Sequence, residues 1–184
     1  MVESAERSEP VRLLVVCHAN VSRSPAAVAL LRGARDERGV EIELASAGTH
    51  APLGQPVSAR TRLALRAVLG EDLELDAHRS RLFGAEDLAW ADLVLTMEAG
   101  QVRLIRRSHP DAAGRTATIA ALASGLPADR RPLVDRVSAM ALASLPLDPS
   151  GDVDDPAGGG DADYERSMAA LVVQCRALAR RLLG

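Results

Sequence analysis

The alternation of apolar and polar positions divides this chain into short covered strands and amphipathic helices. Leu13, Leu14, Val15 and Val16 form an unbroken apolar run, with the length and branched content of a strand buried on both faces. The run breaks into a polar stretch at residues 17–24, and a helical pattern then continues to Gly39. Ser24 reads as the cap of that helix and Pro25 as its first residue, where a missing N–H costs nothing. Residues 40–45 alternate and predict a second strand; residues 92–96 predict a third. Residues 115–120 give a weaker fourth strand, because RTATIAALASG also suits a helix. Helices are expected over 57–69, stopped by Gly70, and over 98–107, stopped by His109 and Pro110. Leu133, Val137, Met140, Ala141 and Leu145 have helical spacing between Pro132 and Pro146. A long final helix over 161–183 carries Tyr164, Met168, Leu171, Cys175, Leu178 and Leu182 on one stripe. Strands alternating with helices predict an α/β fold around a parallel sheet.

Composition narrows the partners. The chain has 184 residues, 47% hydrophobic and 26% charged, which fits one globular domain. Aromatic residues make up only 2%, so the core rests on Leu, Val, Ile and Ala. A net charge of −3 with no basic stripe argues against nucleic acid. The two cysteines, Cys17 and Cys175, give neither a disulfide framework nor zinc spacing, and fit a reducing compartment. No run is long enough to cross a membrane, and MVESAERSEP is too acidic for a signal peptide. A cytoplasmic protein is expected, with a disordered stretch over 1–10 and one domain over 11–184.

The chemistry concentrates in CHANVSRS, residues 17–24. A loop between the carboxyl end of a strand and the start of a helix turns successive N–H groups toward one point, and the helix dipole adds positive potential there. Cys17 opens this loop and Arg23 closes it. A thiol in that field is favoured as thiolate, Ser24 can donate to the sulfur, and the Arg23 fork matches phosphate oxygens. Attack of the sulfur on phosphorus would give a phosphocysteine. A lone cysteine after an apolar strand is ordinarily a core thiol; the spacing to Arg23 and the strand-to-helix setting mark this one out. Cys175, inside a helix stripe, reads as a core thiol. Ser46-Ala47-Gly48-Thr49 is expected as a second loop at a strand's carboxyl end, where ligand sites of open α/β sheets gather. His78 alone reads as structural. Arg60, Arg62 and Arg66 read as a solvated face that could also steer an anion. The acidic, glycine-rich stretch at 151–160 offers Asp152, Asp154 and Asp155 as proton donors to a leaving group.

CHANVSRSP resembles the active-site loop of the low-molecular-weight protein tyrosine phosphatase family, Cys-x-x-Asn-(Ile/Val)-x-Arg-Ser-Pro. Ser46-Ala47-Gly48-Thr49, His78-Arg79-Ser80-Arg81, Ala91-Asp92 ahead of Met97, and Asp155-Pro156 follow in the family's order. The resemblance implies a three-layer sandwich with strand order 2-1-3-4 and helices on both faces. It implies Cys17 as nucleophile, Asp155 as general acid, and Arg23 with the loop from His18, Ala19, Asn20, Val21 and Ser22 to Ser24 as the phosphate cradle. Asn20, in a left-handed conformation, would be supported by Ser24, Ser46 and His78. No metal or cofactor is implied, and the substrate would be a phosphotyrosine protein or a small phosphomonoester. Three departures stand out. Residues 127–150 are longer than the family's connection and lead toward the acid loop. Ala157 and the segment His50-Ala51-Pro52 stand where aromatic residues usually wall the cleft. Ser22 replaces a second cysteine common in the family. Val21, by contrast, resembles the tyrosine-type members, where a phosphoarginine-specific relative carries Thr. Two other readings remain: a thiol-dependent arsenate reductase, which needs further cysteines, and a non-catalytic phosphate-binding regulator.

Overall fold

The computed structural model describes residues 10–38, 41–70 and 73–182. The expected disordered start falls almost entirely on residues 1–9, and the expected helix stop at Gly39 on residue 39; both lie outside the described residues.

Four strands form one parallel sheet in the order β2-β1-β3-β4. They are β1 (Val11–Cys17), β2 (Ile42–Gly48), β3 (Leu93–Thr96) and β4 (Thr116–Thr118). The helices are α1 (Arg23–Arg38), α2 (Ala59–Leu69), α3 (Leu73–Ala77), α4 (Ala85–Trp90), α5 (Ala99–Ser108), α6 (Ile119–Gly125), α7 (Leu133–Ala139) and α8 (Asp161–Leu182). Leu13, Leu14, Val15 and Val16 are at most 1% exposed, because β1 is covered on both faces. Its odd residues face the larger core, built with α1, α6 and α8. Its even residues face a smaller core with Leu88 of α4 and Ile105 of α5. This is the three-layer arrangement.

Several boundaries differ from expectation, each for a physical reason. Helix α1 begins at Arg23, with Ala26 N–H already bonded to Ser22 O at 3.1 Å, so Ser24 and Pro25 lie within the first turn. The Ser24 hydroxyl is thereby released from capping and turned to the sulfur. Ser46, Ala47 and Gly48 belong to β2, because β1 pairs alongside as far as Cys17 opposite Gly48. β4 has three residues only; Thr118 accepts from Ala121 N at 3.1 Å and starts α6. The helix expected between Pro132 and Pro146 stops at Ala139, since Ala141 takes a left-handed φ of 47°.

In the order 2-1-3-4 the chain leaves β1 to one side for β2 and returns on the other side for β3. The switch point therefore lies between the carboxyl ends of β1 and β3. Cys17 ends the first, and Met97 and Glu98 follow the second.

Candidate active site

Asn20 fixes the loop after β1. Its φ is 54°, a left-handed value that Asn tolerates better than most residues. Every polar group of its side chain is used. Nδ2 donates to Ser24 Oγ at 2.9 Å and to Ser46 Oγ at 3.0 Å, while Oδ1 accepts from Arg81 N at 3.0 Å. Its carbonyl meets His78 Nε2 at 2.8 Å, which requires the proton on that nitrogen in the neutral ring. Burial holds the His78 imidazole below its ordinary value of 6.5, helped by Arg79 and Arg81, against the pull of that hydrogen bond. Gly48 lies directly beneath the loop. A Cβ there would come within 2.5 Å of His18 O, so only glycine admits this backbone.

With Asn20 in place, the sulfur is surrounded by donors. Asn20 N–H points at Cys17 Sγ at 3.3 Å, and Ser24 Oγ lies 3.0 Å from it. Because Ser24 already accepts from Asn20, its single proton is free for the sulfur, with Ala47 O at 3.4 Å the other acceptor near it among the described residues. Cys17 is 3% exposed, at the floor of the cleft.

Arg23 is 1% exposed. Its Nη1 donates to Glu98 and, at 2.7 Å, to Val153 O. Its Nη2 lies 2.6 Å from Asp155 Oδ2 without the alignment of a hydrogen bond, so the contact is one of charge. Glu98 itself is tied to Gln101 Nε2 at 3.2 Å at the start of α5. Glu98 was not singled out by sequence; no spacing rule connects positions 75 residues apart. Asp155 lines the cleft and accepts from Ala157 N at 3.1 Å. Asp152 is used elsewhere, accepting from Ala99 N at 2.8 Å at the N-terminus of α5. Desolvation pushes the Asp152 carboxyl up. Asp154 points its carbonyl to Ser167 Oγ at 2.8 Å, and its side chain is not among the cleft residues.

Ser22 enters a group of four hydroxyls. It lies 3.1 Å from Tyr164 Oη and accepts from Thr61 Oγ1 at 3.0 Å; Ser58 Oγ completes the group, 3.0 Å from Tyr164 Oη. Tyr164 and Thr61 are themselves in close contact. Ser58 N–H also holds Val21 O at 2.8 Å. The loop, α2 and α8 are thus joined beneath the cleft. Its spacing makes Tyr164 one more core position of the α8 stripe, but it lines the cleft, so an aromatic side chain is present there at a place the sequence does not suggest. On the exposed side of the loop, His18 stacks on His50 with ring centroids 4.6 Å apart.

The cleft has a volume of about 230 Å³ and is lined by Cys17, Val21, Ser22, Arg23, Asp155 and Tyr164 among others. No residue of 127–150 lines it, so that segment does not roof the site. A larger cavity of about 680 Å³ lies at the opposite ends of the strands, between Val11, Arg115 and Leu133, and neither cysteine lines it. Cys175 is in the core, 1% exposed, and burial pushes its thiol up to about 12. The structure therefore brings together the loop from Cys17 to Ser24 with Ser46, His78 and Asp155, and leaves Cys175 apart.

A sequence profile of the low molecular weight phosphotyrosine protein phosphatase family matches residues 12–135. The chain belongs to that family. A protein-arginine-phosphatase of Geobacillus stearothermophilus is 36% identical over 120 residues, 65% of this chain and 76% of that protein. The low molecular weight protein-tyrosine-phosphatase Etp of Escherichia coli K12 is 31% identical over 104 residues, 56% of this chain and 66% of that protein. Among solved structures, the arginine phosphatase of Geobacillus stearothermophilus superposes with a TM-score of 0.72 at 29% identity, over 94% of this chain and 93% of that one. The low molecular weight protein tyrosine phosphatase of T. tengcongensis gives 0.72 at 28% identity, over 91% and 97%. The family profile ends ahead of the Asp155 loop. Among the described residues no helix is long and apolar enough to cross a membrane.

Proposed function

We propose that this phosphatase hydrolyses phosphorylated protein side chains through a phosphocysteine on Cys17, with phosphotyrosine as its substrate residue. The observation that carries the reading is the sulfur itself, seated at the end of β1 under the Asn20 amide and the Ser24 hydroxyl, with the buried Arg23 closing the same loop. The thiolate attacks phosphorus in line. The Sγ–P bond forms as the P–O bond breaks, and Asp155 gives its proton to the departing oxygen. Arg23 and the loop amides take the charge of the equatorial oxygens, so the positive charge needed comes from the chain. Glu98 and Val153 O hold one side of the Arg23 fork; the incoming phosphate replaces Asp155 on the other. Water then attacks the phosphocysteine, Asp155 accepts its proton, and phosphate leaves with the thiolate restored. The two free thiols agree with a reducing cytoplasm as the place of action.

A second substrate reading has its own support. The relative of 36% identity acts, by its name, on phosphoarginine, and the cleft lacks Phe and Trp. Val21 favours the tyrosine reading. The experiment is a comparison of kcat/KM on phosphotyrosine, phosphoarginine and phosphoserine peptides, with p-nitrophenyl phosphate as a general substrate. Higher kcat/KM on phosphotyrosine is expected; a preference for phosphoarginine would replace the tyrosine assignment, and no turnover of any of the four substrates would overturn the hydrolase reading.

A further inference from the structure

Arg60 stands at the rim of the cleft in a state of unusual readiness. It sits near the start of α2, and its guanidinium lies over the Tyr164 ring, 4.4 Å from the centroid. Its two hydrogen-bonding contacts, Gly160 O at 3.0 Å and Asp161 Oδ1 at 2.7 Å, both run through Nη2. The N–H groups of Nη1 and Nε have no partner among the described residues. The side chain is thus oriented by stacking and one anchored nitrogen, while most of its donors are unspent.

The other charges of the cleft are already committed. Arg23 and Asp155 face each other at the floor, and Glu98 holds Arg23 from behind. Arg60 is the second cation lining the cleft, and the carboxylate now touching it is easily replaced: Asp161 has a side chain 95% exposed and does not line the cleft. Tyr164 itself is fixed from below by Ser22, Ser58 and Thr61, so the platform under Arg60 is continuous with the loop that holds the phosphate. Arg60 and Cys17 line the same cleft of about 230 Å³.

From this we infer that Arg60 is a specificity-determining residue that reads a carboxylate on the substrate peptide, carried by an acidic residue next to the phosphorylated one. The inference rests on the hydrolase reading of the site. Asp161 holds the place of that carboxylate in the free protein and gives it up on binding. A guanidinium stacked on an aromatic face with two open donor directions suits a bidentate carboxylate better than it suits a solvent-facing role.

The test uses phosphopeptides matched except for Glu or Gln on either side of the phosphorylated residue, and reads the ratio of kcat/KM between the two. The unaltered protein is expected to prefer a Glu peptide by about threefold to fivefold, the range of a partly exposed ion pair, with the preference shrinking as salt rises. Arg60→Gln is expected to bring the ratio to unity. Asp161→Asn removes the internal competitor and is expected to raise the ratio. A ratio of unity in the unaltered protein that still hydrolyses p-nitrophenyl phosphate would overturn the inference and leave the hydrolase reading intact. A preference that survives Arg60→Gln, or that is unmoved by Asp161→Asn, would also overturn it. Failure to hydrolyse any ester would instead strike the hydrolase reading.

Discussion

Asn20 joins three segments of the site through its side chain. Its side chain satisfies Ser24, Ser46 and the Arg81 amide, and its backbone is left-handed. Asn20→Ala leaves the part-buried Arg81 N–H unpaired and adds left-handed strain, at a cost of about 2 kcal/mol in stability. Activity is expected to fall further than stability does, because Ser24 then loses the donor that aims its proton at Cys17. Thermal melts beside kcat measurements check this; a variant with unchanged kcat would show that Asn20 only fills space. His78 supplies a second test at this scale. Its folded-state pKa is lowered, so the unfolded chain binds the extra proton first. The stabilisation from neutral His78 is complete above the ordinary value of 6.5 and is lost as pH falls from there through the lowered value. His78→Gln keeps a donor for Asn20 O but does not titrate. Melting temperature against pH should be flatter for that variant below pH 6.5 than for the unaltered protein; parallel curves would remove His78 as the source.

At the scale of elements, the acid loop is where position and chemistry meet. It is pinned at three places: Val153 N–H to Met97 O at 2.9 Å, Ser167 to Asp154 O, and Gln174 to Gly151 O. These hold Asp155 over the floor while Asp152 serves α5. Asp155→Ala is expected to slow hydrolysis of alkyl phosphates much more than of p-nitrophenyl phosphate, since a good leaving group needs little protonation. Equal losses on the two esters would count against Asp155 as the proton donor. The elements also show what the sequence carried and what it did not. The apolar run in β1, the helical stripe of α8 and the loop between Cys17 and Arg23 were legible, because each is a local pattern. The length of β2 was not, because its last residues are strand only by pairing with β1. The true start of α1 was hidden by a good capping sequence at Ser24 and Pro25, which the phosphate loop overrides by curling directly into the helix. Glu98 and Tyr164 were missed for the same kind of reason: their value lies in contacts with Arg23 and with three hydroxyls from other segments.

For the whole molecule, the fold sets the two thiols in opposite circumstances. Cys17 faces the cleft among donors, while Cys175 is sealed in the core with its thiol pushed up to about 12. Of the two thiols only Cys17 lines the cleft, and Ser22, which lines it too, cannot trap the first oxidation product as a disulfide. Sustained peroxide is expected to inactivate the protein with little recovery on adding dithiothreitol; full recovery would contradict this. The same separation bears against a cysteine relay of the kind an arsenate reductase requires, since Cys175 offers no accessible thiolate. The parallel sheet gathers the ends of β1 and β3 at one edge, and the protein's chemistry depends on that gathering. The most direct test is to mix the Asp155→Ala variant with p-nitrophenyl phosphate, quench rapidly in acid, and map the intact protein by mass spectrometry. The account predicts one added phosphoryl group, on Cys17, formed as p-nitrophenol is released, and no turnover by Cys17→Ser. An unmodified Cys17 during turnover, or a Cys17→Ser variant that still hydrolyses the ester, would contradict it.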